Sequence, residues 1–337
     1  MQIGPVVALI ALVPVVAAAQ ASASTGTGVL QRSHFTAPAW AFPTQLPPPA
    51  DPFPTADSTR RHRIPGGDRG FTQKEALDRF APVDWQPDTH PAAPPSVAQG
   101  RKPAAFACAF CHLYSGAGRP ENATLAGLPA DYIVQQVRAF RDSTRLTANP
   151  ASRTNSMHGV ARAVTDADVA EAAAYFSRLV LARRNRIVET AQVPKNRVAG
   201  LLYVREGVGV EAIAGRLIEM PDDFERHELH DPTVRYTTYV PPGSLALGRR
   251  LARAGAAGVT TACITCHGPA LTGMASVPPI AGRSPQYLLR QLISLRTGAR
   301  ADSGSAPMQA VVRAMSLREM TAVAAYAGSL RPSPLPR

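Results

Sequence analysis

All four cysteines of the 337-residue chain belong to two copies of one short motif, Cys-x-x-Cys-His. The copies lie in the stretches FACAFCHLYSG and TACITCHGPA. Their residues are, in chain order, Cys108, Cys111 and His112, then Cys263, Cys266 and His267. Because no cysteine remains for another role, the chemistry that explains the motif must explain it twice.

Three kinds of site use a Cys-x-x-Cys pair. A thiol–disulfide redox site usually lies within a βαβ pattern, which surrounds neither copy. A four-thiolate zinc site would have to join pairs that are 155 residues apart, and it leaves both histidines unexplained. Covalent attachment of c-type haem uses all three side chains, since two thiols bond to the haem vinyl groups and the histidine coordinates iron. The doubled motif therefore predicts two covalently attached c-type haems, each with its iron.

The residues downstream of the two motifs also repeat. The matched pairs are Gly127 and Gly282, Tyr132 and Tyr287, Gln136 and Gln291, Arg145 and Arg300, Met157 and Met308, and Tyr175 and Tyr326. Only the interval between arginine and methionine differs, with 12 residues in the first copy and 8 in the second. Such agreement indicates a duplicated unit.

Helix-start signals follow in both copies. Thr165 with Asp168, and Ser316 with Glu319, form capping-box patterns ahead of apolar residues at helical spacing. The stretch GSLALGRRLARAG predicts a further helix ahead of the second motif, whereas the first motif has no full helix before it.

Each copy thus has a haem-attachment motif, a middle helix with a tyrosine near its start, a loop bearing methionine and a terminal helix. This arrangement resembles class I cytochrome c, and the chain is identified as a member of the di-haem cytochromes c with two fused monohaem domains. The resemblance implies a mainly α fold for the two units. The sequence outside the repeat adds a Pro-rich N-terminal arm and a short β-containing interdomain segment. The predicted parts are a signal peptide at 1–20, the arm at 21–95, cytochrome c domain 1 at 96–182, the interdomain segment at 183–242 and cytochrome c domain 2 at 243–331.

The resemblance also implies the iron ligands. His112 and His267 would be the proximal ligands, and Met157 and Met308 would be the sixth ligands of the two haems. His158 competes with Met157. Three other methionines compete with Met308, namely Met274, Met315 and Met320.

The family holds the proximal imidazole with a proline carbonyl, which predicts this role for Pro279 in the second unit and for Thr124 in the first. Arg145 and Arg300 either pair with haem propionates or are solvated.

The segments outside the repeat give weaker signals. In the arm, FTQKEALDRF predicts one helix over 71–80, and we expect the arm to cover the first haem with Trp40 and Trp85. In the interdomain segment, RVAGLLYV and AIAGRLIEM predict short strands around a turn at REGVGVE. His227 and His230 lie in the polar stretch DDFERHELHDP, which predicts a loop or a helical turn. They could bind a metal, although histidines in a charged loop are more often solvated.

The N-terminus predicts export to the periplasm, because MQIGPVVALIALVPVVAAAQASAS has a short apolar stretch followed by small residues with an Ala-x-Ala pattern. An uncleaved N-terminus, or attachment to a respiratory complex, would give membrane association. The formal net charge of +12 suggests an anionic partner. For an exported protein this favours redox proteins with acidic docking surfaces over nucleic acid.

Two classes of function remain. The first is an electron-transfer protein, either free or the cytochrome subunit of a dehydrogenase or oxidase, that carries electrons between a redox donor and acceptor. The alternative is a haem enzyme, such as a di-haem peroxidase or a sulfur-compound dehydrogenase, with one open iron site. A methionine at the matched place in both units favours the first.

Overall fold

Helices dominate two parts of the structure, one around each Cys-x-x-Cys-His motif, and strands lie between them. The computed structural model describes residues 1–2, 4, 35–45, 56–149, 156–256 and 260–332. The chain forms one unit from Met1 to Phe35 and another from Thr36 to Arg337, and the second contains both motifs. The predicted signal peptide lies almost wholly outside the described residues, as do parts of the predicted arm. Among the described residues, no helix is long and apolar enough to cross a membrane.

The segment before the first motif contains little helix. Its elements are β1 (Arg61–His62) and β2 (Phe71–Thr72), which pair antiparallel, and α1 (Gln73–Ala76). The helix predicted over 71–80 is therefore wrong at both ends. After α1, the Asp78 carboxylate accepts hydrogen bonds from the backbone N–H groups of Phe80 and Ala81, and this local bonding replaces further helical bonding.

The first helical group surrounds the first motif. It comprises α2 (Pro95–Ala98), α3 (Cys108–His112), α4 (Ala130–Arg141), α5 (Ser156–Ala163) and α6 (Asp166–Ser177). The motif itself forms α3, and the single turn of α2 precedes it, as the sequence predicts. Helix α6 begins at the predicted capping box of Thr165 and Asp168. Helices α4 and α6 pack around a core that includes Ile133, Tyr175 and Phe176.

The interdomain segment consists of strands and one short helix. Its elements are β3 (Asn185–Glu189), β4 (Gln192–Ala199), β5 (Leu202–Ala212), β6 (Ile218–Pro221), α7 (Phe224–Glu228) and β7 (Tyr236–Val240). Strand β7 lies between β3, to which it is parallel, and β6, to which it is antiparallel. Strands β4 and β5 form a separate hairpin.

The turn of this hairpin is not the predicted one. The chain reverses between the paired residues Ala199 and Leu202, with φ of +59° at Gly200. The stretch REGVGVE belongs instead to β5, at a register shift against β4. Gly207 and Gly209 both have positive φ there. Because glycine serves in tight turns and in bulges alike, the sequence pattern did not separate the two.

The second helical group surrounds the second motif. It comprises α8 (Ser244–Ala254), α9 (Ile264–His267), α10 (Pro285–Arg296), α11 (Ala306–Val312) and α12 (Leu317–Ser329). Helix α8 confirms the helix predicted in GSLALGRRLARAG, and α12 begins at the predicted capping box of Ser316 and Glu319. Helices α8 and α12 pack closely at Gly248, where a Cβ would lie 2.1 Å from the carbonyl oxygen of Ala322. Only glycine permits this approach.

Candidate haem sites

The first site, called site 1, consists of two cavities that share His112 and Met157 among their lining residues. One of these cavities lies in the first helical group. Its lining includes Cys108, Cys111 and His112 from α3 and Met157 from α5. The structure therefore brings all four residues predicted for the first haem to one cavity. The other lining residues are mostly apolar, among them Leu125, Ile133, Val137, Val160, Val164 and Phe176. Such walls suit the apolar faces of a haem.

His112 is held in the orientation that an iron ligand needs. Its ring is buried, and its Nδ1 lies 2.8 Å from the carbonyl oxygen of Ala123. When Nδ1 donates a proton to that carbonyl, Nε2 is left to coordinate iron. Burial lowers the pKa of His112 to about 4, so the imidazole is neutral at physiological pH. The acceptor is Ala123, so the prediction of Thr124 is wrong by one residue.

The second site, called site 2, repeats this arrangement. The Nδ1 of buried His267 lies 2.8 Å from the carbonyl oxygen of Pro278, and burial lowers its pKa as well. The predicted acceptor, Pro279, is again one residue too late. In both sites the acceptor lies 11 residues after the histidine. The proline that the family uses as the acceptor is present in site 2 as Pro278. In site 1 the carbonyl of Ala123 accepts the equivalent hydrogen bond.

The candidate sixth ligands occupy equivalent positions. Met157 and Met308 each lie in the first turn of the helix that precedes the terminal helix, α5 and α11 respectively. His158, the competitor of Met157, has its Nδ1 2.8 Å from the carbonyl oxygen of Phe140, and it is not among the described residues that line site 1.

The competitors of Met308 lie in other surroundings. Met320 is fully buried in α12, and Met274 is half exposed in a bridge with Val277. Met315, the nearest competitor, is buried just before the cap of α12. The assignment of Met308 therefore depends on the repeat and stays a prediction.

The thiols do not have the character of a redox or zinc site. Burial raises the pKa of the Cys108 thiol to about 12, and it also raises the pKa values of Cys111 and Cys263. A thiol that attacks disulfides or binds zinc needs the opposite shift. Within the described part of the chain, no group of three or more His, Cys, Asp or Glu side chains could hold a metal ion. The donor set instead fits c-type haem, with a neutral imidazole oriented for iron beside two thiols.

The repeated arginines connect the two helical groups. Arg145 and Arg300 are buried, so the alternative that they are solvated is wrong, and the alternative that they pair with haem propionates stays a prediction. Arg145 donates from Nη2 to the Tyr287 hydroxyl at 2.9 Å, and Arg300 donates from Nη2 to the Tyr132 hydroxyl at 2.9 Å. Both arginines also donate to Gln136 and Gln291. The matched tyrosines, glutamines and arginines therefore form one reciprocal contact, which the sequence repeat signalled but could not interpret.

Residues of the second helical group also line site 1. The cavity that adjoins His112 and Met157 includes Tyr287, Arg290, Gln291 and Ser294 of α10. Sequence reasoning missed Arg290 and Ser294, because nothing local marks a residue that lines a cavity of the neighbouring group. Site 1 is therefore built by both groups.

A buried polar cluster lies beside site 1. His227 and His230 are 1% and 5% exposed, so the prediction that they are solvated is wrong. The Nε2 of His227 lies 3.3 Å from Oε1 of Glu121, and its Nδ1 lies 3.0 Å from the Tyr236 hydroxyl. Burial would raise the pKa of Glu121, but Arg119 and His227 bring it well below its ordinary value. Glu121 also lines the cavity at His112, so a fixed negative charge borders site 1.

The tryptophans do not cover site 1 as expected. Trp85 is buried against Ile64 and Leu229, and its Nε1–H donates to the Leu229 carbonyl at 2.9 Å. The carbonyl of Trp40 accepts from the Tyr203 hydroxyl in the hairpin. Neither tryptophan is among the described residues that line the two cavities of site 1. Phe106, just before the motif, takes the expected covering position.

Comparisons with known proteins agree with this chemistry. A family model described as Cytochrome c matches residues 252–331. The thiosulfate dehydrogenase electron acceptor of Stutzerimonas stutzeri (strain A1501) is 31% identical over 233 residues, which cover 67% of this chain and 80% of that protein. A protein of the same description from Thiomonas intermedia (strain K12) is 26% identical, covering 77% of this chain and 88% of the relative. Cytochrome c4 of Azotobacter vinelandii is 25% identical, covering 70% and 89%.

The oriented histidines beside the cysteine pairs, together with these relatives, define the class of protein. The chain belongs to the class I cytochrome c family. It is an electron-transfer cytochrome, and the alternative of a haem enzyme is not favoured.

Proposed function

We propose that the chain is a periplasmic di-haem carrier that accepts electrons from a thiosulfate-oxidising enzyme and passes them to a second redox protein. Cys108, Cys111, His112 and Met157 bind the first haem, and Cys263, Cys266, His267 and Met308 bind the second. The observation that carries the proposal is the duplicated histidine geometry, with the same hydrogen bond 11 residues downstream in both sites. The donor is inferred from the two relatives described as thiosulfate dehydrogenase electron acceptors.

A bound haem supplies the one-electron chemistry, and the residues of the chain set its conditions. The cysteines would anchor the cofactor, and the neutral histidine and the methionine would coordinate its iron. His/Met coordination gives a high potential that suits electron transfer. An iron held by both residues would have no free place for a substrate, so the oxidation of the sulfur compound would take place on the partner enzyme.

The reciprocal contact of the matched tyrosines, glutamines and arginines keeps the two haem sites in one fixed relation. An electron that enters at one site can therefore reach the other without dissociation of a complex. Two further buried arginines, Arg283 and Arg290, lie at the junction between the two helical groups. Both donate hydrogen bonds to backbone carbonyls of the first helical group.

The docking surface for an acidic partner lies on the second helical group. From 243 to 331 the sequence has ten arginines, no lysine and only two acidic residues, Asp302 and Glu319. Three of these arginines, Arg283, Arg290 and Arg300, are buried at the junction and do not contribute to a surface. The exposed ones are Arg249, Arg250, Arg253, Arg313, Arg318 and Arg331. Three of them lie on α8 and would steer an acidic partner at low ionic strength.

The test is reduction of the oxidised chain by a purified thiosulfate dehydrogenase in the presence of thiosulfate. We expect the enzyme with thiosulfate to reduce both haems, and neither component alone to do so. The variant Arg249→Glu/Arg250→Glu/Arg253→Glu should be reduced several-fold more slowly at low ionic strength and at nearly the wild-type rate at high ionic strength.

The matched control reverses Arg197, an exposed arginine of the interdomain hairpin, to Glu. If dithionite reduces both haems but the enzyme reduces neither, the proposed donor is wrong and the carrier assignment stands. If the triple variant reacts like the Arg197 control, the partner docks elsewhere.

A further inference from the structure

One buried side chain, Arg283, contacts the loops whose carbonyls accept hydrogen bonds from His112 and His267. We call these two loops the proximal loops. It lies just before α10 and is 4% exposed. Its Nε donates to the carbonyl oxygen of Pro279 at 2.5 Å. Its Nη1 and Nη2 donate to the carbonyl oxygens of Thr124 at 2.7 Å and Ala126 at 3.0 Å. A single guanidinium thus uses all three of its nitrogens on backbone carbonyls, one in its own helical group and two in the other.

Two of the three carbonyls that Arg283 contacts stand next to those that hold the imidazoles. Pro279 directly follows Pro278, whose carbonyl accepts from His267. Thr124 directly follows Ala123, whose carbonyl accepts from His112. Each peptide group is planar and turns relative to the next only about φ and ψ of the Cα atom that they share, so fixing one carbonyl restricts the orientation of its neighbour.

The charge of Arg283 has no carboxylate partner among the described ion pairs, and three carbonyl dipoles surround it instead. Burial lowers the pKa of Arg283 to about 10, so it remains protonated at neutral pH. A buried cation between two iron sites favours the less positive, ferrous state of each.

The contact of Arg283 with both proximal loops has no counterpart in the first copy of the repeat. In the repeat, Gly282 matches Gly127, so Arg283 stands where the first copy has Leu128. Leu128 is buried in the core of the first helical group and lines site 1. The repeat therefore supplies a cation at this place once, although it contacts both proximal loops.

We propose that Arg283 is a positioning residue that couples the two haem sites. It fixes the carbonyls that hold both proximal imidazoles and places one positive charge between the two loops. The inference rests on the proposed binding of haem by His112 and His267. Since the hydrogen bond on a proximal imidazole and the nearby charge both tune the iron, the potential of each site depends on a side chain shared with the other.

The test uses the full-length protein with its haems and two substitutions. Arg283→Leu reproduces the residue of the first repeat and removes both the charge and the bonds. Arg283→Lys keeps the charge but not the three-way contact. Arg197→Leu, at an exposed arginine of the interdomain hairpin outside the proposed docking surface, is the control. The readouts are the two midpoint potentials and the hydrogen exchange of the histidine Nδ1–H protons followed by NMR.

Arg283→Leu should shift the ferric–ferrous equilibrium of both haems toward ferric by about threefold or more, which is about 30 mV for a one-electron couple. It should also speed exchange of the Nδ1–H protons of His112 and His267. Arg283→Lys should keep potentials closer to wild type but still speed exchange. Arg197→Leu should change neither readout.

A lower melting temperature for Arg283→Leu, with both potentials and both exchange rates unchanged, would overturn the coupling. If Arg283→Leu does not fold, unchanged exchange in Arg283→Lys has the same meaning. Failure of the proposed function is distinguishable, because the wild-type protein would then hold fewer than two covalent haems or would not accept electrons from the thiosulfate dehydrogenase.

Discussion

The two haem sites come from one repeat but are enclosed in different ways. In the second helical group, α8 packs on α12 at Gly248, and the group carries its own N-terminal helix. In the first group the single turn of α2 stands in that place, and other segments supply the missing contacts. The family model matches 252–331, which lies within the second group.

In the first group, segments both before and after it in the chain supply the contacts that an N-terminal helix gives in the second group. From the N-terminal side, the backbone N–H of Ala107 donates to the carbonyl of Arg79, and the Tyr114 hydroxyl donates to that of Pro82. From the C-terminal side, His230 packs against Phe110 of α3, with ring centroids 4.9 Å apart. The comparison shows that a duplicated unit can lose a helix when flanking segments cover the exposed core.

The largest expected effect tests whether the two motifs are chemically equivalent. Replacing Cys108 and Cys111 with alanine should lower the covalent haem content from two to one per chain, because each of the two thioether bonds to a haem needs one thiol. Replacing Cys263 and Cys266 should do the same. Haem would be counted after extraction with acidic acetone. Wild-type protein that loses all its haem to the solvent would contradict covalent attachment at either site.

The next test concerns the sixth ligands. Met157→Ala and Met308→Ala should each abolish half of the far-red absorption that methionine sulfur gives to ferric haem, and each should lower one midpoint potential, because loss of the methionine ligand changes the axial set. Met315→Ala is the control for the second site. If Met315→Ala has this effect and Met308→Ala does not, the repeat alignment of that loop is wrong.

A smaller effect separates the two halves of the reciprocal contact. Arg145→Ala and Arg300→Ala should each lower the free energy of unfolding by roughly 1–3 kcal/mol, because each leaves one part-buried tyrosine hydroxyl without its arginine donor and takes one of two arginine donors from each glutamine. Arg300→Ala should cost more, because buried Asp302 lies 3.5 Å from Arg300 and would lose its cation. Urea unfolding measures both, with exposed Arg249→Ala as the control. Equal losses would show that Asp302 adds nothing.

The smallest effect is a pH dependence confined to the first group. The Nε2 of His90 lies 3.2 Å from Asp84, and its Nδ1 lies 3.1 Å from the Tyr175 hydroxyl of α6. The hydrogen bond with Asp84 raises the pKa of His90 above 6.5. The raised pKa contributes stability that is fully present below pH 6.5 and is lost as pH rises through the folded-state pKa.

His90→Gln should therefore destabilise the protein more at pH 5.5 than at pH 8, as measured by thermal unfolding. The control His158→Gln alters a histidine of α5 in the first helical group, for which no such acidic partner is present among the described ion pairs. A loss that is equal at both pH values would mean that His90 contributes only through packing.

The local chemistry of this fold could be read from the sequence. The motifs, both capping boxes and helix α8 depend on residues a few positions apart, and the structure has each of them. The predicted acceptor residues, Thr124 and Pro279, were each one residue too late. The alignment of the two copies located the loop but not its backbone geometry.

Long-range pairings could not be read in this way. His227 pairs with Glu121, far away in the chain, so the two histidines of a polar stretch that suggests a solvated loop are in fact buried. Arg145 and Tyr287 are 142 residues apart, and only the fold brings them together. The repeat marked these positions as special without showing that they pair across the junction.

The composition of site 1 has a consequence for the order in which the protein matures. Its cysteines lie at 108 and 111, but part of its lining comes from α10 at 285–296. Contacts of such large sequence separation form late in folding, because a long loop must close first. A haem joined to Cys108 and Cys111 would stay open to water on one side until the C-terminal helices had docked, whereas the second motif has its partner helices close by in the chain. The two sites therefore differ in the time of their completion as well as in their place.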